Sequence, residues 1–458
     1  MRVRTDLRLA WLLVRGSDRQ EWWRIALTAV GAMCATGLGL AAAALASVRG
    51  SRSSAFGHGL LDHPGERSGV IVALLLLLVP VLGFLGQCTR IGAVHRDRRA
   101  AALRLAGAEP GRVRRITALE TGLACLLGSV LATAVAVPVL PAEWPRPSVP
   151  AWAGTVLVAA GVPVLGTAAG LLALRRVVAS PLGWVRRNRP RSGRGVGPAF
   201  LGALLVVVAA TVLAVASTST GTAGSDDASG PLVVFAAVLA VGVGAVWLTG
   251  TFSGLTGRLL AARTGTPAVL IAAERLRDDP WAAARAHAAV LLVTVVGTGF
   301  VGVRQVLLAE LEEMRRRHEL GTDIAFYTTG VNLTAVAIGL ALVIVLTALA
   351  VGAAESLATR RRGLAAQVAA GVPRPVLGRA LLLETALPLA PAVLVAGLGG
   401  LAIGIGYART GPDGSAGWSV PYAALLVPAG VYAACLLAAA ASLPLLRRSV
   451  RPGQLRYA

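Results

Sequence analysis

The chain has 458 residues, 55% of them hydrophobic and only 14% charged, with a mean hydropathy of +0.71. That is more apolar surface than a soluble fold of this length buries, so the bilayer is its solvent. The net charge of +22 is carried by arginine without a single lysine, and no basic cluster is interleaved with aromatics on a soluble module, which argues against nucleic acid as a partner.

In chain order, ten apolar runs are each about long enough to carry a helix across roughly 30 Å of hydrocarbon. They lie near 25–48, 70–87, 116–139, 151–174, 197–217, 231–250, 286–303, 332–352, 380–408 and 421–446. The expected fold is therefore an all-α polytopic membrane protein. Ala44 and Ala46 resemble a signal-peptidase site, but the charged leader and the apolar run are both long for a signal peptide, so the first run reads as a retained span. With the N-terminus placed inside, most arginines fall in the N-terminal stretch, the even-numbered connections and the C-terminal stretch. By the positive-inside rule both termini are expected to be cytoplasmic, in a bacterial plasma membrane, with arginines near anionic membrane lipids.

An amphipathic segment precedes the first run ("LRLAWLLVRGSDRQEWWR") and another precedes the seventh ("LIAAERLRDDPWAAAR"). Trp11, Trp22, Trp23 and Trp281 suit the headgroup region, and the mixture of arginine and apolar residues suits helices lying in the interface. Between these, the connection after the second run is repeated after the eighth. Residues 91–122 read "IGAVHRDRRAAALRLAGAEPGRVRRITALETG" and residues 355–386 read "ESLATRRRGLAAQVAAGVPRPVLGRALLLETA". Without a gap, 264 residues apart, the identities are Arg96/Arg360, Arg98/Arg362, Gly107/Gly371, Arg115/Arg379, Leu119/Leu383, Glu120/Glu384, Thr121/Thr385 and three alanine pairs that include Ala106/Ala370. Runs one to four thus match runs seven to ten in parallel orientation, unlike the inverted repeats of many secondary transporters. The expected organisation is a first module over 1–174, a basic linker over 175–196, two connecting spans over 197–250 and a second module over 251–458.

Within each copy a short helix is expected to end at the glycine, Gly107 or Gly371, and a new helix to start near Pro110 or Pro375 and run into the next span. Such a knob suits docking on a cytoplasmic partner. Glu120 and Glu384 sit within apparent spans, about one turn after Arg115 and Arg379. A carboxylate at membrane depth needs a partner, and an arginine of the same segment is expected to supply it. The outer connection after run seven, "RQVLLAELEEMRRRHELGTD", places Leu307, Leu308, Leu311 and Met314 at helical spacing, so it reads as an extension of span seven.

The segments "RRAAALRLAGAEPGRVRRITALE" and "RRRGLAAQVAAGVPRPVLGRALLLE" resemble the signature of FtsX-like ABC permeases. The resemblance implies that they contact a cytoplasmic ABC ATP-binding subunit, present in two copies, and that ATP and Mg are bound by that subunit. It implies an ATPase-docking role for Arg96, Arg98, Ala106, Gly107, Arg115, Glu120, Arg360, Arg362, Ala370, Gly371, Arg379 and Glu384. It also implies a complete permease in one chain, similar to the ten-span Bce-type exporters, although the large extracytoplasmic domain of many members has no counterpart here.

Independently of that resemblance, a chain without lysine cannot form the GxxxxGK[ST] phosphate-binding loop, so any ATP-driven work needs a separate subunit. Neither catalytic clusters nor metal-type spacing of His58, His63, His95, His287 and His318 is evident, and Cys34, Cys88, Cys125 and Cys435 read as packing residues. The expectation is an ABC permease subunit working on a hydrophobic, peptide or lipid substrate. The alternatives are a non-transporting sensor that works with an ATPase and a proton-coupled carrier, the latter weakened because no run carries an ionisable residue near its centre.

Overall fold

A computed structural model describes residues 19–48, 61, 64–88, 105–143, 148–178, 229–318, 324–408 and 421–444. Among them there is no strand; the order is α1 (Arg19–Ser47), α2 (Pro64–Cys88), α3 (Pro110–Glu143), α4 (Val149–Val178), α5 (Ser229–Arg263), α6 (Pro267–Asp278), α7 (Pro280–Arg316), α8 (Ile324–Thr359), α9 (Arg361–Ala369), α10 (Arg374–Ala408) and α11 (Tyr422–Ala440). The protein is an all-α polytopic membrane protein. Seven of these helices, α1, α3, α4, α7, α8, α10 and α11, are long and apolar enough to cross a bilayer. Helices α2 and α5 occupy the places of the second and sixth runs without being among the seven, and the fifth run, 197–217, lies outside the described residues. Seven spanning helices are thus found among the described residues, and the expected count of ten is not confirmed.

Long helices are the form that lets such apolar runs satisfy every backbone group in hydrocarbon. Prolines sit inside several of them, including Pro138 and Pro141 in α3, Pro163 in α4, Pro388 and Pro391 in α10, and Pro428 in α11. In lipid, neighbouring helices and Ser/Thr side chains satisfy the carbonyls that proline leaves free. Helix α7 spans 37 residues, roughly 55 Å at 1.5 Å per residue, so it outruns the hydrocarbon core and carries the 304–316 segment as one continuous helix.

The chain divides into two compact units. The first comprises Met1–Ala55 and Asp62–Arg189 and contains α1 to α4; the second comprises Phe56–Leu61 and Pro190–Ala458 and contains α5 to α11. Within the first, α1 packs against α2, α3 and α4, with α3 its most extensive partner. Within the second, α7 packs against α8, α10 and α11, again most extensively with the helix that is third in the repeat, α10. The start of α3 at Pro110 and of α10 at Arg374 keep the 264-residue register of the sequence repeat.

Helix α5 runs unbroken through position 250, where the expected linker pair of spans ends, and packs against α6, α7 and α10 of the second unit. Its glycines make this possible. A Cβ on Gly250 would lie 2.7 Å from the Trp281 ring, and one on Gly257 would lie 2.9 Å from the Ala273 carbonyl oxygen. Small residues spaced four apart let helices approach to backbone contact, the main source of helix association in lipid. The central pairs use the same device. A Cβ on Gly128 would collide with the Ala29 carbonyl of α1, and one on Gly400 would lie 2.5 Å from the Val295 carbonyl oxygen of α7.

Gly128→Ala and Gly400→Ala should each lower stability by about 1–3 kcal/mol through overpacking. Gly37→Ala, where nothing lies within 4 Å, should be neutral or mildly stabilising. Thermal unfolding in detergent checks this; equal effects at all three positions would contradict the close crossings.

Candidate functional site

The repeated segment folds as a turn between two helices. In the second unit, α9 ends at Ala369 and the chain reverses at Gly371, whose φ of +91° is in the left-handed region that favours glycine. The Gly371 amide donates to the Val368 carbonyl at 2.9 Å and the Val372 amide to the Gln367 carbonyl at 3.0 Å. This is the Schellman arrangement, which satisfies carbonyls that the helix end would otherwise leave open. The next helix follows at once, with Val376 and Leu377 amides donating to the Pro373 carbonyl. In the first unit Gly107 has φ +89°, and the Arg112 and Val113 amides donate to the Glu109 carbonyl, the residue 264 positions before Pro373. Both glycines thus take the left-handed conformation that a helix-ending position needs; Gly371 ends α9, and the helix expected before Gly107 lies outside the described residues.

The turn of the second unit has a small core of its own. Leu357 of α8, Leu364 of α9 and Leu377 of α10 are buried together, with Ile271 of α6, Val368, Val372 and Leu381 packed against them. In the first unit Val113, the counterpart of Leu377, is likewise buried. The tip is open in both. Ala106, Gly107, Ala370, Gly371, Pro373 and Arg374 are exposed, a Cβ on either glycine would meet nothing within 4 Å, and Leu105 is 91% exposed. Arg115 and Arg379 are also exposed. Arg362 lies in α9, while Arg96 and Arg98 lie outside the described residues.

Ten residues beyond each helix start, Glu120 and Glu384 tie the stem to the rest of its unit. Arg24 of α1, 1% exposed, donates from Nη2 to Oε1 of Glu120, itself 4% exposed. This partner, Arg24, lies outside the repeated segment. It comes from the last residue of the amphipathic stretch before the first span, because α1 is the helix against which this turn of α3 is packed. Glu384 accepts from two arginines, Arg360 Nη1 at 2.7 Å on Oε1 and Arg275 Nη1 at 3.0 Å on Oε2. Arg360 does belong to the repeated segment; Arg275 belongs to α6. That helix has the expected amphipathic character, burying Ala272, Ala273 and Leu276 while Leu270, Glu274 and Arg277 are exposed. Arg24 and Arg275 were the residues missed by sequence reasoning, although both lie in segments singled out as amphipathic.

Residues 69–182 match the family model described as FtsX-like permease C-terminal. That part of the chain is an FtsX-like permease domain. It holds the first copy of the glycine turn and the Glu120 stem, and it is consistent with a permease subunit of the ABC-transporter type. No curated protein matches the chain.

Removing a single partner from a buried ion pair leaves an uncompensated charge, at a cost of about 3–5 kcal/mol. Glu120→Ala should therefore be severely destabilising, and Arg24→Met in the same chain should recover much of the loss. Glu384→Ala, at a half-buried site, should cost less. Unfolding midpoints of the three variants check this order; a Glu384→Ala loss equal to that of Glu120→Ala would contradict it.

Proposed function

We propose that the chain is the membrane-spanning subunit of an ABC transporter and that a separate ATP-binding protein docks on the two glycine turns, one copy on each. The observation that carries this reading is the recurrence, in the 264-residue register, of an exposed turn with glycine at φ near +90° on a stem anchored through a glutamate. A rigid, open tip on a buried root is what a partner needs in order to push on a helix. The FtsX-like domain at 69–182 and the resemblance of both segments to the family signature support the identity of the partner. With termini inside, both turns face the cytoplasm, where ATP is available.

The work in this reading is mechanical. Closure of the ATP-binding subunits displaces the turns. In the second unit Arg360 and Arg275 carry the movement through Glu384 to α6 and α10, and α10 acts on α7 along their close crossing. In the first unit Glu120 and Arg24 link α3 to α1. The continuous α7 then delivers movement beyond the hydrocarbon core. The substrate class is hydrophobic, a peptide or lipid, and the direction is export.

The test is the ATPase rate of a candidate partner, beginning with any encoded next to this gene, reconstituted with the full chain. Wild type should alter the rate, and Ala106→Trp with Ala370→Trp, at exposed positions that leave the left-handed glycines in place, should abolish binding while inserting normally. Unchanged binding by the double variant would overturn the docking site; absence of any ATPase that binds wild type would overturn the ABC reading.

A further inference from the structure

Helix α5 keeps one antiparallel register against everything that follows it up to the middle of α7. A Cβ on Gly242 would meet the Leu292 side chain, one on Gly250 the Trp281 ring, and one on Gly254 the Pro280 ring. One on Gly257 would meet the α6 backbone between Ala273 and Arg277. The connection from Thr264 to Thr266 closes the pair as a tight αα-hairpin. Helix α6 therefore continues the line of α7 along α5, and the end of α5 and α6 together form an antiparallel arm beyond the start of α7.

The arm reaches past the membrane surface. Trp281, 39% exposed beside Gly250, sits where an interfacial tryptophan meets the headgroups. From Gly250 to Arg263 the helix rises by roughly 20 Å at 1.5 Å per residue. A tilt of about 40° leaves about 15 Å of that. One leaflet's interfacial layer is about 5–8 Å deep, so the tip stands clear of it.

The tip is also level with the second glycine turn. Arg275 pairs with Glu384, and Ile271 packs on the core that holds Leu377, so α6 runs parallel to the start of α10. Pro267, one turn before Ile271, then falls at the depth of Pro373 and Arg374. Because α5 packs on α10 directly as well as through α6, its tip lies within two helix spacings, roughly 20 Å, of Gly371. A protein partner with an ordinary footprint of about 800 Å², roughly 30 Å across, covers both tips.

On the side of α5 opposite those glycines, Arg258, Leu259, Ala262 and Arg263 are exposed. Neither arginine has an ion-pair partner among the described residues. Arg263 complements the carbonyl end of α5, but Arg258 lies more than a turn earlier and has no such use. Residues 254–268 contain no acidic side chain, and Arg374 adds an exposed cation at the same level.

We propose that the α5–α6 arm is a second contact for the ATP-binding subunit that docks on the Gly371 turn, with an acidic patch of that subunit facing Arg258 and Arg263. The inference rests on the docking reading above and adds a surface outside the repeated segment. Anionic lipid would offer the same charge, but its headgroups do not extend to the tip.

A photoactivatable phenylalanine analogue replaces Ala262 in the full chain, in phosphatidylethanolamine and phosphatidylglycerol membranes that also contain the ATP-binding protein; a second chain carries it at Ala370. Ala262 should capture the ATP-binding protein, as Ala370 does. Arg258→Glu with Arg263→Glu, at exposed positions, should lower capture at Ala262 by about threefold to tenfold, the effect of reversing two exposed charges. Arg258→Lys with Arg263→Lys should retain it. Three results would overturn the arm contact and leave the docking reading standing: capture at Ala370 without capture at Ala262, a phospholipid adduct at Ala262 in place of protein, or insensitivity to the glutamate pair. Capture at neither position would overturn the docking reading, and the arm contact with it.

Discussion

A carboxylate near the start of an apolar helix must find a cation, and the way each unit answers that demand organises what surrounds it. Glu120 is enclosed with Arg24, so α1 and α3 are locked at one depth relative to each other before any other contact is counted. Glu384 is shared between Arg360 and Arg275, so α10, the segment between α8 and α9, and α6 meet at one point. Charge pairs of this kind add little net stability over apolar packing, but they fix register, because sliding either helix leaves a charge unpaired in a poor solvent for it. The glycine crossings at Gly128 and Gly400 operate inside that fixed register, where close backbone approach replaces the hydrophobic drive that lipid removes.

The two units share this scheme and differ in how the glutamate is paired. Among the described residues, the first buries the Glu120–Arg24 pair and satisfies Ser129 and Thr133 by bonds along and between α3 and α4. The second adds α5 and α6 and spreads its glutamate over two arginines that remain partly exposed.

Much of this was legible in the sequence. Apolar runs of spanning length dictate helices because hydrocarbon tolerates few other backbone forms, and the ungapped repeat showed that Gly107 and Gly371 occupy the same turn, where a left-handed φ makes the glycine readable. The need of Glu120 and Glu384 for cations was readable too, but not the identity of all the partners: Arg24 and Arg275 are 96 and 109 residues away and meet the glutamates only through helix packing. Arg360, 24 residues from Glu384 in the same repeated segment, was within reach of the pattern. The stretch around Gly250 to Gly257 read as the end of a span, whereas its glycines serve contact with α6 and α7 and leave the helix unbroken. In a chain with 54 glycines, composition does not say which ones mark crossings.

The central claim is that both glycine turns are faces for an ATP-binding subunit. It is tested most directly by placing a photoactivatable phenylalanine analogue at Ala106 and, separately, at Ala370, beside the two turns, and asking what each captures in membranes that also contain the ATP-binding protein. The account predicts that each position crosslinks to that protein and that a chain carrying both probes captures two copies. Crosslinking from neither position, with the complex otherwise intact, would contradict it.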